Sequence, residues 1–88
     1  MPTDPKTLSK GMQIAYVPTH ANGNIAHPDV EFGFVTSVTD NGAFCRYFYR
    51  NGELRTKSNS ELTSYDNLYR YKSRGQEVVD ALMDQIDP

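Results

Sequence analysis

The sequence predicts a mostly β domain that ends in one amphipathic helix, and three observations carry the prediction. Residues 32–40 (FGFVTSVTD) are dense in β-branched and aromatic side chains, which fit a pleated, half-buried strand. Two Asn-Gly pairs, Asn41-Gly42 and Asn51-Gly52, follow at hairpin spacing. Past residue 73 the apolar period changes from two to about 3.6, with Val78, Val79, Leu82, Met83 and Ile86 on one arc and Glu77, Asp80, Asp84 and Asp87 opposite.

Residues 1–10 are polar and interrupted by Pro2 and Pro5, which reads as a flexible N-terminal arm. Gly11 then opens an alternating stretch with Met12, Ile14 and Tyr16 on one side. Pro18 ends this strand, because proline has no N–H for the ladder. Residues 18–31 form a long loop holding two prolines, Asn22-Gly23 and both histidines. A loop of that length in so small a domain is functional or self-packed.

Residues 32–40, 43–50 and 53–57 are then three strands of a meander. Type I′ turns at the two Asn-Gly pairs join them, since both central positions of that turn require φ > 0. Gly33 inside the first of these strands marks a bulge or a sharp bend. Residues 58–67 are turn-rich, with a short helical turn around Glu61 and Leu62, and residues 68–71 make a short last strand. A meander with one strand before it and one after is the pattern of a small five-stranded SH3-like barrel over residues 11–72. Residues 73–88 form the C-terminal helix, with Ser73 and Gln76 at capping-box spacing. A helix this short is marginal by itself, so its apolar arc docks on its own barrel or on another chain.

Composition narrows the class. The 88 residues suffice for one domain with a small core. An apolar share of 38% and a charged share of 23% suit a folded chain and exclude a disordered one. Cys45 is the single cysteine, so no disulfide forms within the chain and a reducing compartment is expected. The polar start carries no secretory pattern and no apolar run reaches membrane length, so the expected location is the cytosol. The net charge of −2 conceals an uneven map: residues 41–75 hold seven cations against three carboxylates, whereas residues 76–88 hold four carboxylates and no cation.

A resemblance runs through Gly11–Tyr47: Gly11-Met12-Gln13-Ile14-Ala15-Tyr16-Val17-Pro18, His20-Ala21-Asn22-Gly23, His27-Pro28-Asp29-Val30-Glu31-Phe32-Gly33, Val35-Thr36-Ser37-Val38 and Cys45-Arg46-Tyr47. These residues resemble a group of small phage- and prophage-encoded proteins of SH3-like barrel type. The resemblance is most specific in the loop. It implies a phage accessory protein, placed in the host cytosol, and it brings no activity with it.

Four residues have metal-ligand chemistry: His20, His27, Asp29 and Glu31. A zinc site needs three or four such ligands to converge, and two histidines seven residues apart in an irregular loop have no regular element to align them. The sequence therefore favours hydrogen bonding of His27 and Asp29 to the loop's own backbone, and no metal or other cofactor is expected. Cys45, mid-strand between Phe44 and Arg46, reads as a core residue. Along residues 43–50, alternation places Ala43, Cys45, Tyr47 and Tyr49 on one face and Phe44, Arg46, Phe48 and Arg50 on the other. Either the C-terminal helix covers Phe44 and Phe48, or they face a partner.

The expected function is a non-enzymatic binding module. Its protein partner is a host factor or a second copy held through the C-terminal helix. The expected partner-binding residues are His20, Asn22, His27, Asp29, Phe44, Arg46, Phe48 and Arg50. The alternative is nucleic-acid binding by a basic, Tyr-rich sheet face using Arg46, Arg55, Lys57, Arg70 and Tyr71, cations for phosphates and rings for bases. The acidic total and acidic tail count against tight duplex binding. No catalytic constellation, small-molecule substrate or membrane contact is expected.

Overall fold

The described residues form five strands and one α-helix: β1 (Gln13–Tyr16), β2 (Glu31–Val38), β3 (Gly42–Tyr47), β4 (Glu61–Ser64), β5 (Leu68–Arg70) and α1 (Gln76–Ile86). The structure is a computed structural model and describes residues 7–54 and 61–86. The strands form one antiparallel sheet in the order β4-β3-β2-β1-β5. The expected barrel is not closed by this ladder. β4 and β5 are the two edges of an open sheet instead of neighbours.

β2 is the hub, paired with β1 on one side and β3 on the other. Gly33 lies opposite Ile14 and Tyr47 at once. A Cβ at Gly33 would sit 2.0 Å from the Arg46 carbonyl oxygen, so only glycine lets β2 pass this close to β3. The bulge lies a little further on: the register shifts between Val35 and Ser37, leaving Thr36 as the extra residue. The Thr36 hydroxyl donates to the Phe44 carbonyl at 3.0 Å and ties the irregularity to β3.

Neither Asn-Gly pair makes the expected type I′ turn. The β2–β3 connection is the pair Asp40-Asn41, closed by the Thr39 N–H donating to the Gly42 carbonyl at 2.9 Å. Neither Asp40 nor Asn41 has a positive φ. The Thr39 hydroxyl holds this corner, donating to the Gly42 carbonyl at 2.8 Å and accepting from the Gly42 N–H at 3.2 Å. Gly42 serves packing instead, since a Cβ there would meet the Thr63 carbonyl oxygen of β4 at 2.4 Å. At the second pair the loop has three residues, Arg50-Asn51-Gly52, between Tyr49 and Glu53, and Gly52 alone of them has a positive φ. This is a type I turn followed by a left-handed glycine.

Of the expected strand at 53–57, the described residues show a bridge between Leu54 and Phe48, and residues 55–57 lie outside them. The strand that pairs with β3 comes later, at Glu61–Ser64, where a helical turn was expected. Thr63 explains the pairing. It is buried, and its hydroxyl shares a 2.6 Å hydrogen bond with the Tyr47 hydroxyl inside the sheet. A 3-10 turn, Tyr65–Asn67, then leads into β5, capped by the Ser64 hydroxyl accepting from the Asp66 N–H.

Strand alternation separates two cores. On the inner face Ile14, Val35, Ala43, Cys45, Tyr47 and Leu68 pack together, with Met12 and Tyr16 at the margin. Leu8 joins them, so the end of the expected flexible arm is built into the core; residues 1–6 lie outside the described residues. On the outer face α1 lays Val79 and Met83 over Phe34 and Phe48. Burial of those two helix side chains contributes roughly 3–6 kcal/mol gross. The helix therefore docks on its own sheet. Val78 stays 46% exposed, while Asp87 and the side chain of Ile86 lie outside the described part. A third cluster, Ala15, Val17 and Ala21 with Ile25, Val30, Phe32 and Tyr69, fastens the long loop to the rest of the outer face.

Ser73 and Gln76 do not form the expected capping box: the buried Ser73 hydroxyl has no hydrogen-bond partner. Gln13 takes over the work of positioning the helix. Its side chain is buried on the outer face of β1, donating to the Arg74 carbonyl at 2.8 Å and to Gln76 Oε1 at 3.1 Å, and accepting from the Arg74 N–H at 2.9 Å. Gln76 in turn donates to the Gly11 carbonyl at 2.9 Å and to Asp80 at 3.0 Å.

Two stability predictions follow from this frame. Gln13→Ala leaves both backbone groups of Arg74 without their partner and lowers unfolding free energy by about 2–3 kcal/mol in urea titration. Gly33→Ala forces β2 away from β3 and yields no cooperative thermal unfolding transition at 25 °C and above, whereas Gly11→Ala, whose Cβ would meet nothing within 4 Å but is strained by a φ of 88°, retains a transition at a lowered midpoint.

Candidate functional site: a groove between the loop and the helix base

The outer face is covered at one end by α1 and at the other by the loop, and a groove of about 670 Å³ runs between them. It is lined by residues 25–32 from the loop and the start of β2, by Phe48, Tyr49 and Arg50 after β3, and by Tyr71 and Arg74 between β5 and α1. Its apolar surface comes from Phe32 and Tyr71, whose rings lie 5.1 Å apart in a tilted stack, with Phe48 beside them. Tyr71 follows β5 directly and its N–H reaches the Gln13 carbonyl, so the ring extends the strand alternation past the ladder.

Both signs of charge line the groove. Arg74 places its guanidinium 4.4 Å from the centroid of the Phe48 ring, a cation–π contact. Its Nε is buried without a hydrogen-bond partner. Arg50 donates to the Pro28 carbonyl and so bridges the turn after β3 to the loop. Asp29 supplies negative charge on the loop side, whereas the Glu31 side chain, opposite Tyr16, belongs to the inner face, where its charge acts on Tyr47.

The loop is shaped by its own hydrogen bonds: His27 bonds the backbone as expected, whereas the Asp29 side chain bonds His20. Thr19–Ala21 is a 3-10 turn, and Asn22 ends it in the left-handed conformation at φ 52°. The Asn24 side chain accepts from the Ala26 N–H at 3.1 Å, and His27 Nδ1 accepts from the Asp29 N–H at 3.0 Å. Asn67 anchors the start of the loop by donating to the Val17 carbonyl at 3.0 Å. This folding brings His20 back to Asp29: Nε2 donates to Oδ2 at 2.6 Å. That bond holds the Asp29 carboxyl below the usual carboxylate range, with the charges of His27, His20 and Arg50 adding to the effect.

The expected partner-binding residues thus divide. His27, Asp29, Phe48 and Arg50 line the groove, and His20 stands beside His27 with ring centroids 5.2 Å apart. Asn22 is exposed at the loop's far turn. Phe44 and Arg46 do not belong to the groove; both are partly buried in β3, with Phe44 opposite Leu62 of β4 and Arg46 opposite Phe34 of β2. The choice posed for Phe44 and Phe48 resolves one residue at a time: Phe48 lies beneath α1, and Phe44 is outside that cluster. Of the nucleic-acid set, Tyr71 is in the groove, and Arg46 and Arg70 are separated by the width of β2 and β1. Arg55 and Lys57 lie outside the described residues.

Phe32 and Arg74 were missed as site residues. Phe32 carried a signal, since it shares the outer-face alternation with Phe34. Arg74 was visible only as one of the seven cations of residues 41–75, because Gln13, sixty-one residues earlier, sets its position. Cys45 is the core residue expected: burial pushes its thiol up to about 12. Burial likewise raises the Tyr47 hydroxyl.

Comparison with protein-family models, with curated proteins and with solved structures finds no match for this chain. Among the described residues no helix is long and apolar enough to cross a membrane.

The state of Cys45 is directly measurable. A thiol reagent such as DTNB at pH 8 modifies it in native protein at least about a hundredfold more slowly than in denaturant. Rapid modification of the native protein would contradict its burial.

Proposed function

We propose that this protein is a small binding module that receives an extended segment of a protein partner in the groove between its loop and the base of α1. The single observation that carries the reading is the groove itself: the stacked rings of Phe32 and Tyr71 lined together with the cations Arg50 and Arg74 and the carboxylate of Asp29. Aromatic and Arg side chains beside a concave surface are the composition of binding hot spots. Charges of both signs in one cleft select orientation and register more than they add affinity.

The strand order, the bend in β2 and the 3-10 turn before β5 support an SH3-like reading of the architecture. With the resemblance over Gly11–Tyr47, they favour a phage or prophage accessory protein acting in the host cytosol, and a binding role without catalysis. A host protein suits the groove better than a second copy held through α1, because Val79 and Met83 are already spent on the protein's own sheet.

The test is capture from nuclease-treated host lysate by the wild type and by Tyr71→Ala and Arg74→Ala variants. A defined protein is retained by the wild type and reduced at least about tenfold by each substitution, the loss expected of a hot-spot residue. Retention that disappears with nuclease, or direct nucleic-acid binding that weakens steeply with salt, would replace this reading with the nucleic-acid one. Equal capture by all three proteins would refute the groove as the site.

A further inference from the structure

From the loop geometry we infer that His20, His27 and Asp29 form a binding site for a divalent transition metal of the zinc class. The inference is independent of what occupies the groove. One ligand atom from each of the three residues lies within 4.8 Å of the other two. Two imidazoles and a carboxylate are a donor set that zinc and its neighbours accept, leaving one of four tetrahedral positions open. Glu31, the fourth residue with metal-ligand chemistry in this stretch, is not in the cluster; it begins β2 opposite Tyr16.

Spacing alone does not predict convergence, because the histidines are seven apart without a shared helix or strand. The fold supplies one. The left-handed turn at Asn22 reverses the chain after the 3-10 segment, and Asn24 and His27 organise the return. His20 and His27 then meet edge to face at 5.2 Å.

The distances require a modest adjustment. Tetrahedral ligands bonded at about 2.0–2.1 Å stand about 3.3 Å apart. The His20–Asp29 contact at 2.6 Å must open, and the widest separation in the cluster must close from 4.8 Å. His27 is half-buried and stays in place, while His20 and Asp29, 63% and 60% exposed, supply the rotamer changes. The proton that His20 Nε2 shares with Asp29 moves to Nδ1 of the same ring through solvent, and the freed Nε2 lone pair takes the metal in its place. At His27 the Nδ1 lone pair, taken up at 3.0 Å by the Asp29 N–H, is released from an exposed bond. His27 and Asp29 also line the groove, so the ion stands at its rim.

The experiment is calorimetric titration of Zn²⁺ into chelator-treated full-length protein, with Co²⁺ absorption as a second readout, for the wild type, His20→Ala and His27→Ala. One ion binds per chain, each substitution weakens binding roughly tenfold or more, and the visible Co²⁺ bands of low-coordinate geometry are lost with either histidine. His20 is exposed, so its variant keeps the metal-free melting temperature and serves as the folded control should His27→Ala unfold. No Zn²⁺ binding by the wild type, or equal binding by the wild type and His20→Ala, would overturn the inference.

Discussion

The arrangement of the outer face depends on one buried amide. Gln13 presents two donors and an acceptor to Arg74 and Gln76 from the first residue of β1, and thereby fixes where the chain leaves the sheet and where α1 begins. A buried polar side chain is costly unless its groups are paired, and here both N–H donors and the carbonyl have partners. The direction of α1 over Phe34 and Phe48 follows from that fixed start. So does the position of Arg74, whose backbone Gln13 holds and whose guanidinium stacks on Phe48. The groove wall is thus a by-product of the device that docks the helix.

Much of the fold was legible because local chemistry and global structure agree. The alternation of Met12, Ile14 and Tyr16 matches the inner core, and the apolar arc of residues 78–86 matches a docked helix at Val79 and Met83. The failures share one cause: the residue types were read for their local preference while tertiary contacts decided their use. Gly42 was taken as a turn residue, yet its lack of a side chain serves the approach of Thr63 from β4. Glu61–Ser64 has weak strand propensity and was assigned to a turn; pairing with β3 and the Tyr47–Thr63 hydrogen bond override that preference.

The candidate site was legible to a smaller degree. The loop was singled out, and His27, Asp29, Phe48 and Arg50, named from two separate segments, line the same groove. Phe44 and Arg46 were included because they share a strand face with Phe48. A strand face extends along the sheet, however, and helix and loop cover different parts of it. What lies between two covers depends on where each begins. For α1 that information sits in Gln13, and for the loop in Asn67, both remote in sequence from the surface they define.

The separation of inner and outer cores has a thermodynamic consequence. Ile14, Val35, Cys45 and Leu68 pack without any help from α1, so the helix is able to undock as a local event that leaves the inner core intact. Phe48 and Arg74 belong both to the groove and to the helix attachment. A ligand that touches them binds the docked form and draws the local equilibrium toward it, and by reciprocity every change that loosens the helix weakens the ligand. Occupancy of the groove is thereby reported at the C-terminal end of the chain, as slower amide exchange along α1.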